Sequence, residues 1–182
     1  MRLFAGLDLP REVVENLERL LVRLRPTARI QWSPPANLHV TTKFIGEWPE
    51  ERLDELQAAL RRLPPRPAIA IRIHQLGFFP NLRAPRIFWC GIEAPGLAEL
   101  AADTDRAAST LGIPGEARAY SPHLTLARIK DRLNLEALRQ AIAALPSLEF
   151  GAFQASSFFL YRSQLRPGGS VYTKLAEFPL SQ

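Results

Sequence analysis

Apolar positions along this chain recur with two periods. Val13, Leu17, Leu20 and Leu24 fall on one face of a helix, and so do Leu97, Leu100, Thr104, Ala108 and Leu111. A third stripe runs through Leu53, Leu56, Leu60 and Leu63, and a fourth through Leu135, Leu138, Ile142 and Leu145. Pro10 and Pro95 open the first two helical patterns; Pro49-Glu50-Glu51 and Asn134 are the start signals of the other two. Between the stripes lie β-prone runs. Ile69, Ile71 and Ile73 alternate within a strand predicted from Ala68 to Phe79, a further strand is predicted from Glu149 to Tyr161, and a last one from Val171 to Phe178.

These elements repeat. Arg2-Leu3-Phe4-Ala5-Gly6-Leu7-Asp8-Leu9-Pro10 matches Arg86-Ile87-Phe88-Trp89-Cys90-Gly91-Ile92-Glu93-Ala94-Pro95 in kind, with one inserted residue. Leu38-His39-Val40-Thr41-Thr42-Lys43-Phe44 is answered 84 residues later by Pro122-His123-Leu124-Thr125-Leu126-Ala127-Arg128. The third and fourth leucine stripes correspond at an offset of 82. Leucine spacing alone carries little weight, since all amphipathic helices share it. Four matched elements in the same order predict one unit written twice, strand–helix–strand–helix–strand, over about residues 2–85 and 86–182. The expected architecture is α+β: a single two-lobed domain over 1–182, each pseudo-symmetric lobe an antiparallel-rich sheet with two helices, around a central cleft. Pro64-Pro65-Arg66-Pro67 and Pro80 to Pro85 read as connections.

Composition narrows the class. With 47% apolar residues the chain is globular, and its net charge of +5 with a pI near 10.0 suits an anionic partner such as RNA. Arginine outnumbers lysine, which favours planar contacts to phosphate. Cys90 is the single cysteine, so no internal disulfide forms, and its run Ile87-Phe88-Trp89-Cys90 predicts a buried, inert thiol. The N-terminus does not resemble a signal peptide, and no apolar run approaches the ~20 residues of a membrane span. A cytoplasmic monomer is expected.

The candidate chemistry lies in the two histidine strands. Residues two apart on a strand share a face, so His39 lies with Thr41 and Lys43, and His123 with Thr125. If the duplicated strands meet across a cleft, two imidazoles and two hydroxyls surround one space. One imidazole can accept a proton from water while the other gives one to a departing alkoxide, on opposite sides of a phosphorus atom. Threonine hydroxyls can hold the non-bridging oxygens. A single His-x-Thr is commonplace; its recurrence at equivalent repeat positions carries the inference. His74 lacks a threonine partner and reads as a solvent-facing or hydrogen-bonded strand residue. No metal is expected, because nothing brings His74 to the other two histidines. No cofactor is expected either: a phosphate-binding Gly-x-x-x-x-Gly-Lys-Ser/Thr loop is missing, and Pro167-Gly168-Gly169 reads as a loop between strands.

Leu38-His39-Val40-Thr41-Thr42-Lys43-Phe44-Ile45-Gly46 and Ser121-Pro122-His123-Leu124-Thr125-Leu126-Ala127-Arg128 resemble the paired His-x-Thr-x motifs of the 2H phosphoesterase superfamily, and within it the RNA 2′,3′-cyclic phosphodiesterase (2′-5′ RNA ligase) family. Arg2-Leu3-Phe4-Ala5, Pro85-Arg86-Ile87-Phe88-Trp89 and Leu160-Tyr161-Arg162-Ser163 share the likeness, which spans the chain; Thr42 stands where an aliphatic residue is usual. The resemblance implies hydrolysis of an RNA 2′,3′-cyclic phosphate end to a 2′-phosphate, with His39 as proton donor to the 3′-oxygen and His123 as proton acceptor from water. It implies phosphate contacts from Thr41 and Thr125, an arginine (Arg128) near the phosphate and an aromatic (Phe44) near the base. Strict alternation puts Arg128 and Phe44 on the opposite faces of their strands from the histidines, so either reaches the site only past a strand end or through a bulge. A related enzyme acting on another cyclic or 2′-5′ linked nucleotide, or a non-catalytic RNA-binding protein, are the competing readings.

Overall fold

In the computed structural model, which describes residues 1–180, nine strands and four helices alternate along the chain. They are β1 (Arg2–Leu7), α1 (Arg11–Leu24), β2 (Gln31–Trp32), β3 (Val40–Glu47), α2 (Leu53–Arg61), β4 (Ile69–Phe79), β5 (Ile87–Glu93), α3 (Leu97–Ser109), β6 (His123–Arg128), α4 (Glu136–Ala143), β7 (Glu149–Ala155), β8 (Ser157–Arg166) and β9 (Gly169–Pro179). All four expected helices form, and each buries its predicted stripe: Leu17 and Leu24 on α1, Leu56 and Leu60 on α2, Leu97 and Leu100 on α3, Leu138 on α4 are all essentially inaccessible to solvent. Each such leucine contributes roughly 1.5–3 kcal/mol by leaving water.

Two antiparallel sheets form, in the orders β3-β1-β8-β9 and β2-β6-β5-β4-β7. Helices α2 and α3 lie against the first sheet, α1 lies against the second and α4 packs beside α1, giving the two-lobed α+β architecture. Neither lobe is one half of the chain. Strand β4 leaves the first half to pair with β5, and β8 leaves the second half to pair with β1. The helices cross over too: α1 packs on β7 and α3 packs on β3.

This exchange corrects the single strand expected from Glu149 to Tyr161. That stretch is two strands, β7 in one sheet and β8 in the other, broken at Ser156. Phe150 and Ala155 are buried before the break and Phe158, Phe159 and Leu160 after it. The apolar pattern therefore continues across the junction of the lobes, and no glycine or proline marks the crossing. The two-residue strand β2 went unforeseen. Pro167-Gly168 is the turn of the β8–β9 hairpin, and Cys90 is fully buried, with burial pushing its thiol far above the ordinary range. Among the described residues no helix is long and apolar enough to cross a membrane.

Candidate active site

His39 ends the approach to β3, and His123 begins β6; the two strands lie beside one another at the junction of the sheets. Both histidines line one cleft of about 580 Å³, together with Thr41, Thr125, Arg128 and Phe44. These six of the side chains singled out in the sequence therefore meet in one place.

The same backbone device orients both rings. His39 Nδ1 donates to the carbonyl of Asn37 at 2.6 Å, and His123 Nδ1 donates to the carbonyl of Ser121 at 2.8 Å. A carbonyl only accepts, so each Nδ1 keeps its proton. Proton exchange is left to Nε2 of each ring. On His39 that nitrogen lies 2.9 Å from Thr41 Oγ1. Aromatic contacts fix the ring planes. His39 stands 4.6 Å from Phe4 and edge-on to Tyr172 at 5.1 Å; His123 stands edge-on to Phe79 at 5.1 Å.

Phe44 and Arg128 reach the cleft through matching bulges. Thr41 pairs with Gly6 and Lys43 with Ala5, so Thr42 is an extra residue in β3. Thr125 pairs with Trp89 and Ala127 with Phe88, so Leu126 is an extra residue in β6. Each insertion reverses the alternation beyond it. Phe44 returns to the side of His39 and is 61% exposed, and Arg128 returns to the side of His123. Both bulges are tied down. Tyr120 Oη donates to the Thr41 carbonyl at 2.8 Å; Ser33 Oγ donates to the Thr125 carbonyl at 2.9 Å, while the Ser33 amide donates to the Leu126 carbonyl at 2.8 Å.

The same bulge corrects Lys43, which alternation placed beside His39. Its side chain is buried on the far side, 2.7 Å from Asp105 Oδ1 and 3.2 Å from Glu116 Oε1, and donates to the Pro114 carbonyl at 2.8 Å. The lysine thus ties β3 to α3 and the segment after it. Its counterpart in the second strand is Ala127, also buried, and needs no charge partner. His74 behaves as a partnered strand residue, with Nε2 3.3 Å from Glu93.

Sequence reading missed Phe4, Asn37, Tyr172 and the start of β9 with Gly168 before it, all of which line the cleft. Phe4 and Tyr172 gave no signal because aromatic residues in strands are commonplace in cores. Asn37 acts through its backbone carbonyl, which accepts from His39, and through its side-chain amide, which donates to the Ser170 carbonyl at 2.7 Å; the first leaves no mark on side-chain pattern and the second spans 133 residues of sequence.

Electrostatics act on the His39 imidazole. His39 is held below the ordinary imidazole range chiefly by burial; the hydrogen bond to Asn37 opposes this, while the charges of Arg128 and His123 add to it. Groups carried by the second sheet thus act on a ring carried at the edge of the first. Among the described residues, no three His, Cys, Asp or Glu side chains cluster so as to hold a metal ion.

Two antiparallel sheets flanking a cleft with twin His-x-Thr strands define a two-histidine phosphoesterase. The family model described as LigT-like phosphoesterase matches twice, over residues 7–89 and 92–172, and the chain belongs to that family. A Methanocaldococcus jannaschii protein named RNA 2′,3′-cyclic phosphodiesterase is 34% identical over 178 residues, covering 98% of this chain and 100% of the relative. A Thermus thermophilus protein of the same name is 36% identical over 189 residues, covering 99% and 90%. Among solved structures, one from Thermus thermophilus superposes with a TM-score of 0.83 at 35% identity, over 99% of this chain and 98% of the other. Escherichia coli LigT complexed with 3′-AMP superposes with a TM-score of 0.81 at 27% identity, over 100% and 98%.

Proposed function

We propose that this protein hydrolyses the 2′,3′-cyclic phosphate at the end of an RNA to a 2′-phosphomonoester. The observation that carries the reading is the shared orientation of His39 and His123: each fixes Nδ1 on the carbonyl two residues before it, and both line one cleft. The names of the full-length relatives support the substrate.

The water oxygen attacks phosphorus while His123 Nε2 takes its proton. The bond from phosphorus to the 3′-oxygen breaks, and His39 Nε2 gives that oxygen a proton. The Thr41 and Thr125 hydroxyls donate to the non-bridging oxygens, and Arg128 offsets the charge that grows on them. Phe44 offers its exposed ring to the terminal base. A bound phosphate anion opposes the charges of Arg128 and His123 and returns His39 toward the protonated form that an acid needs. Each proton-transferring group is expected to contribute roughly 10²–10⁴-fold.

With an RNA hydroxyl in place of water, the same two transfers yield a 2′-5′ linkage, so ligation needs no nucleotide cofactor. No resident metal or cofactor enters either reaction. A monomer acting in the cytoplasm is the setting proposed.

The test is incubation with an RNA ending in a 2′,3′-cyclic phosphate in the presence of a chelator, followed by identification of the product. A 2′-phosphomonoester is expected. A 3′-phosphomonoester, or an unchanged cyclic end, would overturn the reading.

A further inference from the structure

The three strands that build the His123 side of the cleft end together. Arg128 pairs with Ile87, and Ile87 pairs with Phe79, so β4, β5 and β6 share one edge. Beyond that edge lies a second hollow, of about 600 Å³, lined by Leu82, Arg83, Ala84, Arg132 and Arg139. Three arginines from three separate segments line it, and no carboxylate does. Arg83 comes from the β4–β5 connection, Arg132 from the stretch after β6, and Arg139 from α4.

These cations are unspent. All three are exposed, and none forms an ion pair among the described residues. Arg139 donates to the Leu82 carbonyl, and Arg86 donates to the Lys130 carbonyl at 2.8 Å, so the two connections are held to their neighbours. Asp131 is the one acid between Lys130 and Arg132, and it does not line the hollow. Other exposed arginines also lack an ion pair among the described residues, Arg62 and Arg118 among them; what sets these three apart is that separate segments bring them to one hollow without a carboxylate.

Two of the segments that line the hollow start at the cleft. Phe79 is the last residue of β4, its ring meets His123 edge-on at 5.1 Å, and the connection carrying Arg83 starts directly after it. On the other strand, Arg132 follows Arg128 by four residues, a reach of at most ~14 Å.

We propose that Arg83, Arg132 and Arg139 bind backbone phosphates of the RNA upstream of its cyclic end. This rests on the phosphodiesterase reading above and deepens it: the preferred substrate is an oligonucleotide, not a cyclic mononucleotide. A planar, always-charged guanidinium suits a phosphate, and backbone contacts of this kind carry no base preference.

The experiment compares the wild-type chain with Arg83→Gln/Arg132→Gln, and separately with Arg139→Gln. Two substrates are used, an eight-nucleotide RNA ending in a 2′,3′-cyclic phosphate and a 2′,3′-cyclic mononucleotide, each across a salt series. Binding of an eight-nucleotide single-stranded RNA is followed in parallel by fluorescence anisotropy. For the double variant, kcat/KM on the oligonucleotide is expected to fall roughly tenfold, and the dependence of log affinity on log salt to flatten by about 1.4, the contribution of two phosphates. Hydrolysis of the mononucleotide should hold at the wild-type rate. Equal rates for variant and wild type on the oligonucleotide, with an unchanged salt slope, would overturn the proposal. Equal losses on both substrates would also overturn it, since the arginines would then act on the fold or the catalytic cleft. If the wild type hydrolyses neither substrate, the phosphodiesterase reading fails; the anisotropy series still decides whether the arginines hold RNA.

Discussion

Thr42 and Leu126 are the same bulge, 84 residues apart: each is an extra residue in its strand, directly after the threonine that follows a cleft histidine. The pair explains how a strand can show the cleft a histidine, a threonine two residues on, and then a side chain three residues further. Without the insertion Lys43 would enter the cleft and Phe44 the core; with it, the two exchange places. Two bulges at equivalent positions give the cleft its aromatic on one side and its cation on the other.

Lys43 is held by Asp105 and Glu116 on the face that the bulge turned inward. Lys43→Met removes a buried charge and leaves both carboxylates without it; Asp105 is about one quarter exposed, which softens the loss. A destabilisation of about 2 kcal/mol is expected, below the 3–5 kcal/mol of a fully buried broken pair. Urea unfolding checks it: the midpoint should fall with the slope unchanged. A midpoint equal to the wild type would mean that the pair does not support the bulge.

Gly77 lies under the Trp89 indole. A Cβ there would sit 2.1 Å from Trp89 Cζ2, so the ring must move for any larger residue. Trp89 also packs against Phe79 at 5.2 Å, and Phe79 against His123. Gly77→Ala is expected to cost about 1–3 kcal/mol by overpacking. It should also change tryptophan emission and lower turnover through displacement of Phe79. An unshifted thermal midpoint would contradict the packing described.

The charge on Arg128 disfavours the imidazolium form of His39. Its removal therefore raises the His39 pKa toward the ordinary value. In Arg128→Gln, the His39 ring signals in an NMR titration should move to a higher midpoint than in the wild type. Because an acid must be protonated to act, the alkaline fall in kcat/KM assigned to His39 moves to higher pH in the same variant, while the overall rate drops. A midpoint that stays put or falls would show that Arg128 does not act across the cleft.

Much of this molecule was legible from pattern. The four helical stripes and the two His-x-Thr strands were read from spacing, and the cleft contains His39, Thr41, Phe44, His123, Thr125 and Arg128, while Lys43, which alternation nominated, is buried on the far side. Three features were hidden. Exchange of β4 and β8 between lobes leaves no local trace, since a β-prone run reads alike in either sheet. The bulges are invisible because Thr42 and Leu126 suit a regular strand as well as an insertion. The Tyr120 and Ser33 contacts that tie the bulges bridge 79 and 92 residues of sequence, and only the folded chain brings them together.

The most direct measurement is turnover of a cyclic-ended RNA by His39→Ala and by His123→Ala, each confirmed folded, at fixed pH with chelator present. Each substitution is expected to lower kcat by roughly 10²–10⁴-fold. Turnover near the wild-type rate in either variant would contradict paired proton transfer across this cleft.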